Sequence, residues 1–192
     1  MSELEHHIIH TFGFSKEEFL SIEDFFQPKE IKKGAYFLKE DQYVKQMAFV
    51  ENGILREFLH VNDKEITKWF SGNGYFAVDL TAFLFDQKSS VNYQAIVDTT
   101  VLVLTKDNFN RISTKVPRWA ELEKMFLAKC FAVLEKRVVS HLAYSAEERY
   151  NQLFEMNPAL FNQVPLNNIA SLLGMTAETL SRIRKKQTNP SS

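Results

Sequence analysis

Between residues 30 and 104 the chain is a series of short apolar segments punctuated by turn residues, and this rhythm constrains the fold more than any other feature. The segments AYFL, QMAFVENGILREFL, EITKWF, YFAV, YQAIV and TVLVL read as strands. Strands this short and frequent, with no helix expected between them, predict an antiparallel jelly-roll or barrel from about Glu30 to Leu104. Asn52 and Gly53 suit a type I′ hairpin turn, which needs positive φ at both central residues, and VNDKE at 61–65 supplies another turn.

Helical spacing brackets this region. Phe19, Ile22, Phe25 and Phe26 follow a Ser15 cap at intervals that predict a short amphipathic helix, ended by Pro28. Beyond Asp107, Trp119, Leu122, Phe126, Val133, Arg137 and neighbouring apolar positions repeat every three or four residues over about seven turns. That is a long helix with a wide apolar stripe. The stripe either packs on its own barrel or pairs with a second copy, and we expect part of it to be a dimer seam. The 192 residues, 45% hydrophobic with 17 Phe, support a substantial core plus a small appendage. The fold class expected is α+β: a β-roll over 1–115, a dimerisation helix over 116–143 and a small all-α domain over 144–192.

Several functions are excluded on composition. Cys130 is the only cysteine, so no disulfide, CxxC zinc site or cysteine-held cluster forms within one chain, and its expected role is a buried small hydrophobe. The terminus MSELEHHIIH has acids where a signal peptide has bases, and no apolar run reaches membrane-spanning length, so a cytoplasmic protein is expected. His6, His7 and His10 lie at a terminus expected to be mobile, without a cysteine partner, and no metal site is assigned to them. The barrel segment contains only His60, too few for a cupin metal centre, and Asp63 and Glu65 read as turn or surface residues. Neither GxSxG, HExxH nor a P-loop occurs, so no enzyme is expected.

The net charge is −1, yet residues 176–192 set Arg182, Arg184, Lys185 and Lys186 against Glu178 alone. Before them, in LNNIASLLG, Ile169, Leu172 and Leu173 share a helical face, and Ala170 is small enough for a second helix to cross closely. Gly174 can take the left-handed conformation that ends a helix, and Thr176 can cap the next, whose Leu180 and Ile183 face inward. Glu178, Ser181, Arg182 and Lys185 then face outward. Two short helices with a tight turn and a basic outer face match the motif whose second helix enters the DNA major groove. Arg182 can donate two bonds to guanine and Glu178 can accept one from cytosine, while Arg184, Lys185 and Lys186 suit phosphates. The final QTNPSS reads as a disordered tail.

Together with VENGILREFLHVNDKEITKWF, YQAIVDTTVLVLTKDNF and ERYNQLFEMNPALFNQVPLNNIASLLGM, the stretch IASLLGMTAETLSRIRKK resembles the Crp/Fnr family of bacterial transcription regulators, especially its short Bacteroidetes forms. The resemblance implies a homodimer paired through its long helices, binding double-stranded DNA at a near-palindromic operator, with RNA polymerase as a further partner. It places the family's base-reading positions on Ala177, Glu178, Ser181 and Arg182. Ala177 replaces an arginine, and the β-hairpin wing carried by many members is not expected here.

The resemblance also implies an effector pocket. Cyclic-nucleotide binders hold the ribose with the acid of Phe-Gly-Glu and the phosphate with Arg-Ser/Thr-Ala. Here YFAVD leaves Val78 or Asp79 at the acidic position, and KSSVNYQA puts Ser89, followed by Ser90, where the arginine stands. Lys88 is the nearest cation, a less directional one. A small-molecule effector is therefore expected to be something other than cAMP, and its identity is open. The competing reading is a β-roll that binds an effector and acts through a protein partner, without reading DNA.

Overall fold

The structure, a computed structural model that describes residues 2–188, places the strand segments in two four-stranded sheets. One has the order β1 (Phe26–Ile31), β8 (Thr99–Thr105), β3 (Gln46–Asn52), β6 (Phe76–Ala77). The other runs β2 (Tyr36–Leu38), β7 (Asn92–Ala95), β4 (Leu55–Val61), β5 (Lys64–Ser71). The resolved registers are antiparallel, with Phe26 opposite Leu104, Phe49 opposite Leu102 and Glu57 opposite Tyr93. Met47 to Val50 are buried without alternation, which follows from the place of β3 between β8 and β6 inside a roll. The expected α+β jelly-roll is what forms.

By the packing of its backbone the chain divides into two compact units. Met1–Leu59 with Trp69–Cys130 form one, and His60–Lys68 with Phe131–Ser192 the other. The first holds most of the roll together with α1 (Glu3–Phe12), α2 (Lys16–Ile22), α3 (Leu80–Leu84), α4 (Lys106–Lys115) and the start of α5 (Trp119–Ala143). Phe19, Phe49 and Phe83 lie fully inside its core. The second comprises the tip of the β4–β5 hairpin, the rest of α5, then α6 (Ala146–Met156), α7 (Leu160–Gln163), α8 (Leu166–Leu172) and α9 (Ala177–Thr188). Ile169, Ala170 and Leu180 are buried there, as the sequence pattern requires.

Several local expectations are corrected. The terminus expected to be mobile is helix α1, capped by the Ser2 hydroxyl, and His7 packs on Phe12, Phe49 and Phe76. The helix expected over Ser15–Phe26 ends at Ile22 and passes through a 3-10 turn (Glu23–Phe25) into β1. Pro28 therefore lies in a strand and terminates nothing; β1 is an edge strand, where a missing N–H is tolerated. A helix, α3, does interrupt the strand series between β6 and β7. Gly53 has positive φ, but the pair of adjacent positive-φ residues falls at Asn62 and Asp63, so the I′-type turn sits between β4 and β5. Of the expected disordered tail, Gln187 and Thr188 belong to α9 and residues 189–192 lie outside the described residues.

The long helix is present, with its apolar residues divided differently from expectation. Leu122 is 2% exposed, and Trp119 and Phe126 pack against the core of the first unit. These three are core residues and not an outward seam. Val133 is exposed, Arg137 half-buried, and the apolar residues left uncovered include Leu127, Phe131, Leu134 and Val138.

Candidate functional site

Helix α8 ends because Gly174 takes φ +64°, a conformation that costs any residue with a Cβ about 1 kcal/mol or more. The added Cβ itself would meet only His141, at 3.5 Å, so the requirement is conformational and not spatial. The turn is closed by Gly174 N–H donating to Ser171 O and Met175 N–H to Ala170 O. Thr176 then caps α9, its hydroxyl accepting the Thr179 N–H at 3.1 Å. Two side chains absent from the sequence reading hold this turn from outside. Arg149 of α6 donates from Nε to Leu173 O at 2.9 Å and from a terminal nitrogen to Tyr144 O at 2.6 Å. His141 of α5 places Nε2 3.3 Å from Leu172 O. Carbonyls at a helix C-terminus are short of partners, and Arg149 supplies a charged donor. Neither residue has a spacing signal that would have found it.

The hairpin tip in the same unit meets α8 through one hydroxyl. Ser171 Oγ accepts the Thr67 N–H at 2.9 Å and lies 3.2 Å from Glu65 O, to which it donates. On α9, Glu178, Arg182 and Lys185 are exposed, whereas Ala177, Ser181 and Arg184 are half-buried and Thr176 is exposed at the cap. Among the described residues no side-chain hydrogen bond or ion pair engages Glu178 or Arg182. Lys186, expected to serve a phosphate, lies 3.1 Å from a Glu147 carboxylate oxygen on α6; both are exposed, so that pair is a weak one.

Of the residues expected to line an effector pocket, Asp79, Ser89 and Ser90 are hydrogen-bonded together in the first unit. The Asp79 carboxylate reaches the Ser89–Ser90 segment, while Val78 contributes its carbonyl, which accepts the Tyr93 hydroxyl at 2.9 Å. Asp79 Oδ1 caps α3 by accepting the Ala82 N–H at 3.2 Å. Its Oδ2 accepts the Ser90 N–H at 3.0 Å and the Ser90 hydroxyl at 3.2 Å. The Ser89 hydroxyl, 3% exposed as a residue, lies 3.2 Å from the same oxygen and 2.9 Å from Val91 O; its one proton serves one of the two. Lys88 is exposed and outside this cluster of bonds. Burial and the neighbouring Glu57 and Asp79 carboxylates hold the Tyr93 hydroxyl well above its ordinary pKa, so it is a neutral donor. Asn92 beside it is buried; its Oδ1 accepts the Glu40 N–H, and Nδ2 has no partner among the described residues.

A separate apolar cavity of about 50 Å³ lies between Phe12, Phe76, Trp119 and Phe126. It is far smaller than the few hundred Å³ typical of ligand sites and carries no orienting polar group, so it is a packing void. Among the described residues no group of three His, Cys, Asp or Glu is placed to hold a metal ion, and no helix is long and apolar enough to cross a membrane. Cys130 is half-buried, and that burial raises its thiol pKa.

In chain order the molecule is a roll of two antiparallel sheets, then a long helix, then a turn-linked helix pair. Residues 28–115 match the cyclic nucleotide-binding domain family. No curated protein sequence matches the chain. Among solved structures, the catabolite activator protein of Thermus thermophilus is 22% identical, with a TM-score of 0.58, covering 96% of this chain and 87% of that one. FixK2 from Bradyrhizobium japonicum is 19% identical at a TM-score of 0.72, covering 86% of each chain. The c-di-GMP responsive global regulator CLP of Xanthomonas campestris is 11% identical at 0.69, covering 92% and 93%. Residues 28–115 thus match a cyclic nucleotide-binding domain, and the chain shares its fold with these solved structures.

Proposed function

We propose that this protein is a sequence-specific transcription regulator that binds double-stranded DNA as a homodimer, with α9 reading the major groove of each half of an inverted repeat. The observation that carries the reading is the outer face of α9, where Glu178 and Arg182 stand exposed one turn apart on a helix held by the Gly174 turn and Arg149. Among the described residues neither is committed to an intramolecular side-chain partner, as base-reading groups must be. The similar structures include regulators, which supports the same class and offers no support for catalysis. The outward apolar residues of α5, led by Phe131 and Leu134, supply the dimer seam. Division of the chain into a β-roll (1–115), a pairing helix (116–143) and a DNA-reading segment (144–192), RNA polymerase as a partner, and a cytoplasmic site of action belong to the same proposal.

Selection of bound duplexes from a random pool at near-physiological salt tests it. An enriched inverted repeat is expected. On that operator, Arg182→Ala relaxes base preference at one position per half-site, costing about 1–3 kcal/mol there, whereas Lys185→Ala weakens binding to all sequences alike. Identical preferences for the parent and Arg182→Ala would remove the role given to Arg182. Absence of any DNA binding, with or without added effectors, would leave the β-roll acting through a protein partner.

A further inference from the structure

We propose that Asp79 is an internal anion that occupies the place of a ligand phosphate, so that this β-roll excludes cyclic nucleotides and other phosphorylated effectors. The inference rests on reading the roll as the effector domain of the regulator, and it names the residue that decides what the domain accepts.

The resemblance to cyclic-nucleotide binders sets a ligand phosphate against the segment here occupied by Ser89 and Ser90, with a cation beside it. Here the donors exist and are already used. Ser90 gives both its N–H and its hydroxyl to Asp79 Oδ2, and Ser89 turns its hydroxyl toward the same oxygen. A carboxylate and a phosphate oxygen make the same charge-assisted bonds to such groups, so the two anions compete for one set of protons. Asp79 has the advantage of being covalently present. Its other oxygen is fixed by the α3 cap at Ala82, which orients the carboxylate without a separate ordering cost.

Charge opposes an incoming phosphate as well. Glu57 lies opposite Tyr93 in the β4–β7 register, and the Tyr93 hydroxyl is hydrogen-bonded to Val78, the residue before Asp79. Two carboxylates therefore approach one wall of the roll. Ser89, in the arginine's place, brings no compensating cation. A phosphate entering here would meet like charge in a partly dehydrated site, where repulsion is screened less than in water.

Calorimetric titration of the full chain with cAMP, and separately with inorganic phosphate, tests the assignment. The unmodified protein is expected to show no binding. The Asp79→Ala, Ser89→Arg double variant, which frees the donors and restores a cation, is expected to gain affinity for cAMP by about tenfold or more over the unmodified protein. Binding of cAMP by the unmodified protein, or a folded double variant that still ignores it, overturns the role given to Asp79. A second measurement needs no variant. The Ser90 amide should exchange slowly with solvent and be unaffected by cAMP or phosphate; fast exchange, or protection that appears only with ligand, also overturns it. DNA selection with the unmodified protein, run in parallel, reports on the regulator reading separately, because these ligand and exchange measurements do not depend on its outcome.

Discussion

Gly53 is the residue at which the roll has least room. Its φ is +111°, and a Cβ there would stand 2.7 Å from the Thr99 Cα, with the Thr99 side chain as close. Thr99 cannot withdraw cheaply, since its hydroxyl accepts the Ile54 N–H and donates to the Val97 carbonyl. Gly34 provides the control, with φ +82° and no atom within 4 Å of the added carbon. Gly34→Ala is expected to cost about 1 kcal/mol, the conformational term alone. Gly53→Ala adds a backbone clash and is expected to cost about 3 kcal/mol or more, read as a lower urea midpoint. His7 offers a pH-dependent test. Burial, then the Lys129 and His6 charges, lower its pKa below the ordinary 6.5. The unfolded chain thus takes up this proton before the folded one does. The contribution is intact above pH 6.5 and is lost as pH falls from there through the lower folded value. His7→Leu should flatten that part of the stability profile, and a profile unchanged in slope would show that the imidazole is not the group responsible.

Elements were legible where one periodicity and one kind of burial acted together. Helices α8 and α9 follow this rule, because Ile169, Ala170, Leu180 and Ile183 are buried at helical spacing and Gly174 supplies the stop. The β-strands were legible as well, from their length and punctuation. The core-facing part of α5 was misread because the helix's apolar residues serve two surfaces: Trp119, Leu122 and Phe126 face the core, while Leu127, Phe131, Leu134 and Val138 follow a four-three-four spacing on exposed positions. A single stripe fitted to both sets merges them. The Asp79 cluster was half legible, as five residue positions without a geometry, because a carboxylate can cap a helix and bind a neighbouring turn only once α3 forms. Arg149 was not legible at all, since its value lies in joining a nearby carbonyl, Tyr144 O, to the Leu173 carbonyl far along the chain. Replacing it by Met keeps most of the stem's packing and removes both donors. Arg149→Met is therefore expected to destabilise the turn by about 1–3 kcal/mol. Thermal unfolding would register that loss, and operator affinity should fall with it even though Arg149 reads no base.

At the scale of the whole molecule, the proposed homodimer is tested at α5. Phe131 is 67% exposed, Leu134 57% and Leu142 82%, along a helix that a chain acting alone would gain by making polar. A second copy of the same helix offers a matching apolar row, and twofold pairing would cover both at once. Leu134→Glu sets two carboxylates near each other across such a seam and leaves the core residues of α5 untouched. Sedimentation is expected to show the parent as a dimer and this variant as a monomer, with helical content by circular dichroism unchanged. The operator would then be read one half-site at a time. Two linked α9 helices bind the second half-site at the high local concentration set by the first, so losing the link should lower operator affinity by about a hundredfold or more. Binding to an isolated half-site, which never used the link, should be nearly unaffected. If the full operator instead held the variant as tightly as the parent, the two half-sites would not be joined through α5, and the row of exposed side chains would have to serve another surface.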